Sequence, residues 1–368
     1  MRRKERDIKT TLFILAILTA LLLVHVTPAL AQVVSPLQPA HYVPGIVGVR
    51  DYVTPQPGLF VLWYNWFIGS NTYIDRNGNK LTTINLSEFD SQLPDVDVDI
   101  DIKGWATIPA VAWASKRTIL GGARYMAIIA PNFFYNDYEF LAAPAGSGFD
   151  PTTTQIAKGS FGGFSDLLVT PFALTWALGH FNDVTVTDEE LAEMGAPPRR
   201  RFNLTAMYSF VAPTGRYETG ADDNLGLGFW THQFQGFGYY YPFEDQSTAV
   251  MAGLTYEANG KTNDVDVTPG SRLSLEWGVS QYLAEWFELF VQGAHNWQVT
   301  DDSGSDVYWD PSVHDRKSTL LFGAGFWPWA QRLYVSAKYG FDYDMRQRFD
   351  NNNLVVNLIF LTNALDGR

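Results

Sequence analysis

The acidic residues that alternate from Asp95 to Asp101 are the first side chains in this sequence whose type and spacing could do chemistry. An EF-hand calcium loop also begins with acidic residues at positions one, three and five, but it needs glycine at position six and glutamate at position twelve. This chain has Ile100 and Ala106 at those positions. The acidic ladder is therefore interpreted either as the lining of an electronegative lumen or as a solvated strand face. In the second case its basic partner is one of three residues: Lys103, Arg124 or Lys338.

Metal and cofactor chemistry has little support elsewhere in the chain. The acidic stretch 301–306 suits either a divalent ion or a turn, and the turn is favoured because Asp, Ser and Gly are common turn formers. The histidines after residue 31 show no metal-ligand spacing: they are His41, His180, His232, His295 and His314. The cysteine count is 0, which excludes disulfides and thiolate ligands. We expect no bound metal and no cofactor.

A hydrolytic site is the other chemistry that the sequence could offer. His232, Gln233 and Ser209 have the residue types of the serine–histidine–amide sites with which some barrel enzymes hydrolyse phospholipids. However, the segment 163–167 lacks the second glycine of a nucleophile elbow. We therefore expect that the chain is not an enzyme, and lipid modification stays as the least favoured alternative.

The N-terminus predicts export. A basic start is followed by an apolar run from Leu12 to Val24 and then by Ala29, Leu30 and Ala31, as in a Sec-type signal peptide of residues 1–31. An uncleaved anchor is the alternative, but the run is shorter than a spanning helix requires. The formal net charge of −13 makes nucleic acid an unsuitable partner.

The rest of the chain alternates between apolar and polar residues with a period of two, which is typical of strands with one apolar and one polar face. From Asp95 to Lys103 the acidic residues and the lysine fall on one face, and valine and isoleucine fall on the other. The aromatic content of 15% and the rings at strand ends favour a membrane barrel over a soluble sandwich. The end rings are Trp63, Trp66, Trp230, Tyr240, Tyr241, Trp286, Trp297, Trp327 and Tyr343.

We therefore predict an all-β fold, a transmembrane antiparallel β-barrel of about 12 strands, with 14 as the alternative. The barrel occupies residues 58–368, and its long loops face outside while its short turns face the periplasm. The strands are expected near 58–69, 95–114, 119–132, 163–177, 201–212, 229–241, 247–257, 271–281, 286–299, 316–327, 332–345 and 353–362.

Two segments do not fit a barrel strand. Residues 182–200 look helical, with Thr187 and Glu190 as a capping box, and are predicted to be a periplasmic insertion unless the strand count differs by one hairpin. Residues 32–57 contain too much proline and glycine for a strand. They are expected either to enter the lumen as a plug, which we favour, or to remain in the periplasm.

Several short segments, spread over most of the chain after residue 31, carry a resemblance to a known family. They are the residues at 41–45, 57–58, 163–171, 212–217, 228–231, 267–270, 276–278 and 298–304. In these segments the chain resembles an outer-membrane family, that of the meta-pathway of phenol degradation, which is distantly like the long-chain fatty acid channels. The resemblance implies transport of hydrophobic or aromatic compounds. Two features depart from the family pattern: the insertion at 182–200, and the extension beyond the last strand to Arg368.

The predicted function is passive uptake of hydrophobic or aromatic small molecules through the outer membrane of a Gram-negative bacterium. A nonspecific small porin is the alternative. The partners expected are the lipid bilayer, lipopolysaccharide, the solute and the barrel-insertion machinery, while the oligomeric state is left open. The residues predicted to line the lumen are Asp97, Asp99, Asp101, Lys103, Glu276, Glu288, Gln292, Asn296, Tyr334, Lys338 and Asp342.

Overall fold

The computed structural model describes residues 40–54, 57–85, 94–182, 184–193, 199–219, 221, 223–329 and 332–362. The predicted signal peptide, residues 1–31, lies outside the described residues. The described chain forms these elements: β1 (Gly58–Ser70), β2 (Tyr73–Ile74), β3 (Thr83–Ile84), β4 (Val96–Ile119), β5 (Ala123–Pro144), β6 (Gln155–Leu178), α1 (Asp188–Glu193), β7 (Phe202–Ala212), β8 (Thr231–Tyr240), β9 (Thr248–Asn259), β10 (Arg272–Ala284), β11 (Phe287–Gln298), β12 (Arg316–Trp329), β13 (Leu333–Arg346), β14 (Arg348–Phe349) and β15 (Asn352–Leu361).

Twelve of these strands, β1, β4 to β13 and β15, form a closed antiparallel barrel. Neighbouring strands in the sequence pair with each other, and β1 pairs with both β4 and β15, which closes the ring. Closure matters because a strand without a neighbour would expose unpaired backbone groups to hydrocarbon. The prediction of a transmembrane barrel of about 12 strands is confirmed.

Two ends of the barrel are distinguished by their connections. At the loop end, long segments join the strands, among them 71–95, 213–230 and 299–315. At the turn end, most connections are short, such as 120–122 and 285–286, although the segment 179–201 is longer. In that segment α1 begins with a reciprocal cap, in which Thr187 N donates to Glu190 Oε2 at 2.8 Å and Glu190 N donates to Thr187 Oγ1 at 3.2 Å. Among the described residues, no helix is long and apolar enough to span a membrane.

The outer face of the barrel is apolar and aromatic. Every second residue of a strand points outward, so that Phe202, Leu204 and Phe234 expose about half of their surface. Trp230 and Trp286 lie at strand ends, as rings at a membrane interface do. Four of the rings predicted for strand ends at the interface lie elsewhere: Trp63 is exposed in the middle of β1, Trp66 and Trp327 line the interior, and Tyr241 is buried.

A Phe322→Arg variant is expected to lose about 2–4 kcal/mol of folding stability in lipid, because a charge on the lipid face near the bilayer centre is costly. Phe322 lies in the middle of β12 and is 55% exposed. Urea unfolding in lipid vesicles measures the change. Asp99→Arg is the control, since Asp99 lies on the outer face well beyond the apolar belt and should tolerate the charge. Equal stability of Phe322→Arg and the wild type would contradict an outer face in contact with lipid.

Strands β4, β5 and β6 are much longer than the others and extend past the loop end. The predicted strands 119–132 and 163–177 are too short at the loop end, because the alternation continues to Pro144 and resumes at Gln155, leaving only residues 145–154 as the connection. The turn that the predicted strands 95–114 and 119–132 leave at residues 115–118 is also misplaced. The chain turns at Leu120, Gly121 and Gly122, all three with positive φ, a conformation that glycine adopts without strain.

Candidate functional site

The interior of the barrel has two chemically different walls. The first, called the polar wall, consists of inward side chains on β8 to β13. These side chains are buried although they are polar or charged: Gln233, Gln235, Glu257, Glu276, Glu288, Gln292 and Lys338. Buried charges need partners, because an unpaired one is costly away from water. The partners are found largely in the N-terminal segment.

Residues 40–54, called the lumen segment, run through the barrel along the polar wall. At the loop end, His41 Nδ1 lies 2.6 Å from Thr231 Oγ1, and His41 Nε2 lies 2.9 Å from Asp166 Oδ2. At the turn end, Thr54 N donates to Thr175 Oγ1 at 3.1 Å. The segment therefore spans the lumen from one end to the other before β1 begins.

Glu276 is the central acceptor for this segment. One carboxylate oxygen accepts the hydroxyls of Tyr42 and of Tyr52, the latter at 2.9 Å. The other oxygen accepts Gly45 N at 2.9 Å and Gln292 Nε2 at 2.9 Å. Three donors from the lumen segment thus converge on one buried carboxylate, and hydrogen bonds to a charged acceptor are among the stronger ones in proteins.

The polar wall also binds the backbone of the lumen segment. Lys338 Nζ donates to Val47 O at 2.8 Å, and Gln292 Nε2 donates to the same carbonyl at 3.1 Å. From β15, outside the polar wall, Asn357 Nδ2 donates to Ile46 O at 3.2 Å. These contacts satisfy carbonyl groups that no secondary structure pairs, which allows an irregular segment to be buried.

Arg50 fastens the segment near the turn end. Its guanidinium donates to the carbonyls of Gln246 and Ser247 and lies 3.2 Å from Glu288. It also lies over the ring of Tyr282, 4.7 Å from the centroid. The ring of Tyr52 stacks on Phe237, with 3.6 Å between the ring centroids. Together these contacts fix the half of the lumen segment near the turn end by charge and by packing.

The second wall, called the apolar wall, lies opposite and carries small and aliphatic side chains. It is formed by inward residues of β1, β4, β5, β7 and β15, which include Phe60, Leu62, Ile108, Ala110, Ala112, Met126, Ile128, Val211, Ile359 and Leu361. Between this wall and the lumen segment lies a cavity of about 1110 Å³. Its lining extends from Phe134 and Asp166 at the loop end to Trp327 and Leu361 at the turn end.

Charged residues surround the loop end of the cavity. Arg272 and Arg348 both contact Asp315, at 2.5 and 2.8 Å, and Lys317 lies 2.9 Å from Asp342. Burial would raise the pKa of Asp315, but the two arginines outweigh it, and the pKa of this carboxyl lies below its ordinary value. Asp315 thus stays ionised and paired with both arginines, and these contacts hold the loop end together.

Seven of the predicted lumen-lining residues point inward and are buried: Glu276, Glu288, Gln292, Asn296, Tyr334, Lys338 and Asp342. Glu276, Gln292 and Lys338 meet at the lumen segment, whereas Tyr334 donates to Glu288 and Asn296 accepts from Arg272. Their role in transport stays a prediction.

The other four, Asp97, Asp99, Asp101 and Lys103, do not line the lumen, and this prediction is wrong. They share a face of β4 with Trp105 and Trp113, which are exposed on the outside, because the pairing of β4 with β5 keeps one register from Val96 to Ala114. Lys103 Nζ pairs with Asp101 at 2.9 Å on this outer surface.

The imagined hydrolytic group does not assemble. His232 points outward from β8, where its Nδ1 lies 2.9 Å from the Tyr208 hydroxyl. Ser209 points inward and contacts Thr170 Oγ1 at 2.8 Å. Within the described residues, no group of three or more histidine, aspartate and glutamate side chains could hold a metal ion.

Sequence reasoning missed the roles of His41, Arg50, Asp166 and Arg272. A signal existed for two of them, because His41 and Asp166 both lie in segments that carry the family resemblance. Nothing in the sequence indicated that these two segments touch.

Among solved structures, the chain is similar to the COG4313 outer membrane channel from Pseudomonas putida F1, with a TM-score of 0.58 and 14% identity over 85% of this chain and 99% of that one. It is less similar to the translocator domain of the autotransporter NalP from Neisseria meningitidis, with a TM-score of 0.41 and 11% identity over 82% and 88%. These likenesses concern the fold. No curated protein sequence matches the chain.

A family profile matches residues 71–358, which include ten of the twelve barrel strands completely, most of β15, and the polar wall. That profile carries the description "Putative MetA-pathway of phenol degradation". Since the match covers well over half of the sequence, the chain belongs to this family, whose description links it to phenol degradation.

Proposed function

We propose that this protein is a channel for the passive uptake of hydrophobic or aromatic small molecules across the outer membrane of a Gram-negative bacterium. The observation that carries the proposal is the division of the lumen. The lumen segment occupies the polar half, and the cavity of about 1110 Å³ runs beside it along the apolar wall. Such a passage accepts an apolar body more readily than a hydrated ion.

The loop end would face the outside and the turn end the periplasm, as is usual for bacterial barrels. Residues 1–31 would direct export through the Sec pathway. The apolar outer face would contact the bilayer, and the long strands β4 to β6 would rise among lipopolysaccharide. Insertion would depend on the cell's barrel-insertion machinery. Solute would move down its gradient without a cofactor, nucleic acid or catalytic step.

Comparison of uptake in intact cells with and without the protein tests this function. Pairs of solutes matched in size but different in polarity are supplied, one apolar and aromatic and one hydrophilic. We expect the protein to raise uptake of the aromatic member several-fold and to change uptake of the hydrophilic member little. Equal gains for both members would indicate a nonspecific porin and would overturn the proposal.

A further inference from the structure

Two side-chain oxygens on the wall of the cavity lack a hydrogen-bond partner, namely Oε1 of Gln235 and Oδ1 of Asn132. Gln235 is only 9% exposed, so that bulk water does not satisfy its amide. Buried polar atoms in native proteins nearly always have a partner, and an exception at a cavity indicates a group that arrives from outside the chain. Both unpaired atoms are acceptors, which restricts that group to a donor.

The orientation of the Gln235 amide is fixed by its neighbours. Gln235 Nε2 lies 3.5 Å from Gln233 Oε1, and Gln233 Nε2 lies 3.4 Å from Glu257 Oε1. Turning the Gln233 amide would place its oxygen against the Glu257 oxygen, which already accepts Tyr42 N at 2.8 Å. The amide N–H groups of Gln235 and Gln233 therefore form a chain of hydrogen bonds that ends at Glu257. At the other end of this chain, the side-chain oxygen of Gln235 has no donor.

The surroundings of Gln235 are apolar or already paired. Met207 lies directly opposite Gln235 on β7, and it packs against the buried cluster that includes Met126 and Phe60. The nearby hydroxyls of Ser209 and Thr170 bond to each other. The position thus offers one acceptor to a ligand whose remaining surface meets hydrocarbon.

We propose that Gln235 is a recognition site for the hydroxyl group of an otherwise apolar solute, and that Asn132 is an earlier acceptor on the same path. Asn132 lies nearer the loop end, where its Nδ2 donates to Asp166 O at 2.8 Å. A hydroxylated aromatic fits both positions, whereas an ionised carboxylate is disfavoured because it supplies only acceptors. This inference rests on the proposed function and refines its substrate class.

The test compares 2-naphthol with naphthalene, which differ by one hydroxyl group. The protein-dependent uptake of each is measured in intact cells, and the binding of each to refolded protein in detergent is followed by its fluorescence. In Gln235→Leu we expect uptake and affinity for naphthol to fall about threefold to tenfold, the typical effect of one hydrogen bond, with naphthalene unchanged. Met207→Leu is the control, since it alters the opposite side chain without touching the acceptor.

Asn132→Leu provides a second variant. It is also expected to lower the uptake of naphthol and to leave the uptake of naphthalene unchanged. If the ratio of naphthol to naphthalene is unchanged in both variants, in binding and in uptake, the inference is overturned. If binding of naphthol depends on Gln235 but the wild type raises uptake of neither compound, the acceptor site stands and the proposed channel function fails.

Discussion

A Glu276→Ala variant is expected to conduct ions several-fold better than the wild type in planar lipid bilayers. The change removes the acceptor of Tyr42, Tyr52 and Gly45, and with it three contacts between the lumen segment and the polar wall. Hydrogen bonds to a charged group contribute about 1.5–3 kcal/mol each. Even the loss of about 3 kcal/mol raises the ratio of released to bound segment more than a hundredfold. Release opens the polar half of the lumen to water and ions.

Two further variants separate release of the segment from a general loss of structure. Glu276→Gln keeps the size and one acceptor oxygen, and we expect it to raise conductance less than Glu276→Ala does. Glu139→Ala removes a carboxylate from the outer face of β5 and should leave conductance unchanged. Wild-type conductance in a correctly folded Glu276→Ala channel would show that the segment is not held by this carboxylate.

The second large effect is expected at the apolar wall. Ile108→Glu places a carboxylate on the inward face of β4, where Ile108 lines the cavity beside Tyr64. An ionised group retains water, and an apolar solute must then pass a hydrated site instead of hydrocarbon. We expect uptake of an aromatic solute to fall at least about tenfold, which corresponds to a barrier about 1.4 kcal/mol higher. Ion conductance should not decrease.

The controls for this variant are a conservative change and a folding assay. Ile108→Leu keeps the wall apolar at nearly equal volume and should retain uptake. The heat-dependent shift in gel mobility that is typical of folded barrels shows whether each variant has inserted. A folded Ile108→Glu channel with undiminished aromatic uptake would mean that solute does not follow the apolar wall.

Most of the barrel could be predicted from the sequence because a strand shows its two faces directly in the residues. In β10 and β11 the alternation alone identified Glu276, Glu288 and Gln292 as members of one face. The two-residue alternation does not indicate which face of a strand points into the barrel. The ladder at Asp97–Asp101 was assigned to the wrong side for that reason, although counting in twos from Lys103 reaches Trp105 and Trp113, whose rings belong to the outer belt.

The organisation of the lumen could not be predicted in the same way. His41 and Asp166 are separated by 125 residues, and Lys338 meets the carbonyl of Val47 across 291 residues. Contacts of this kind form only when the whole barrel has closed, and no local sequence pattern predicts them. The sequence indicated that residues 32–57 are unsuited to a strand and favoured the lumen over the periplasm, but no pattern in it indicated which residues the segment contacts.

Solute is expected to pass along the apolar wall while the lumen segment stays in place. Because the natural chain has 0 cysteines, a His41→Cys/Thr231→Cys pair bridged by a short thiol cross-linker would fasten the segment to β8, and β1 already holds its other end. Uptake of an aromatic solute is measured in cells before and after cross-linking, and again after reductive cleavage of the linker. We expect the same uptake in all three states. Loss of uptake on cross-linking, with recovery on cleavage, would contradict the claim and show that the segment must leave for solute to pass.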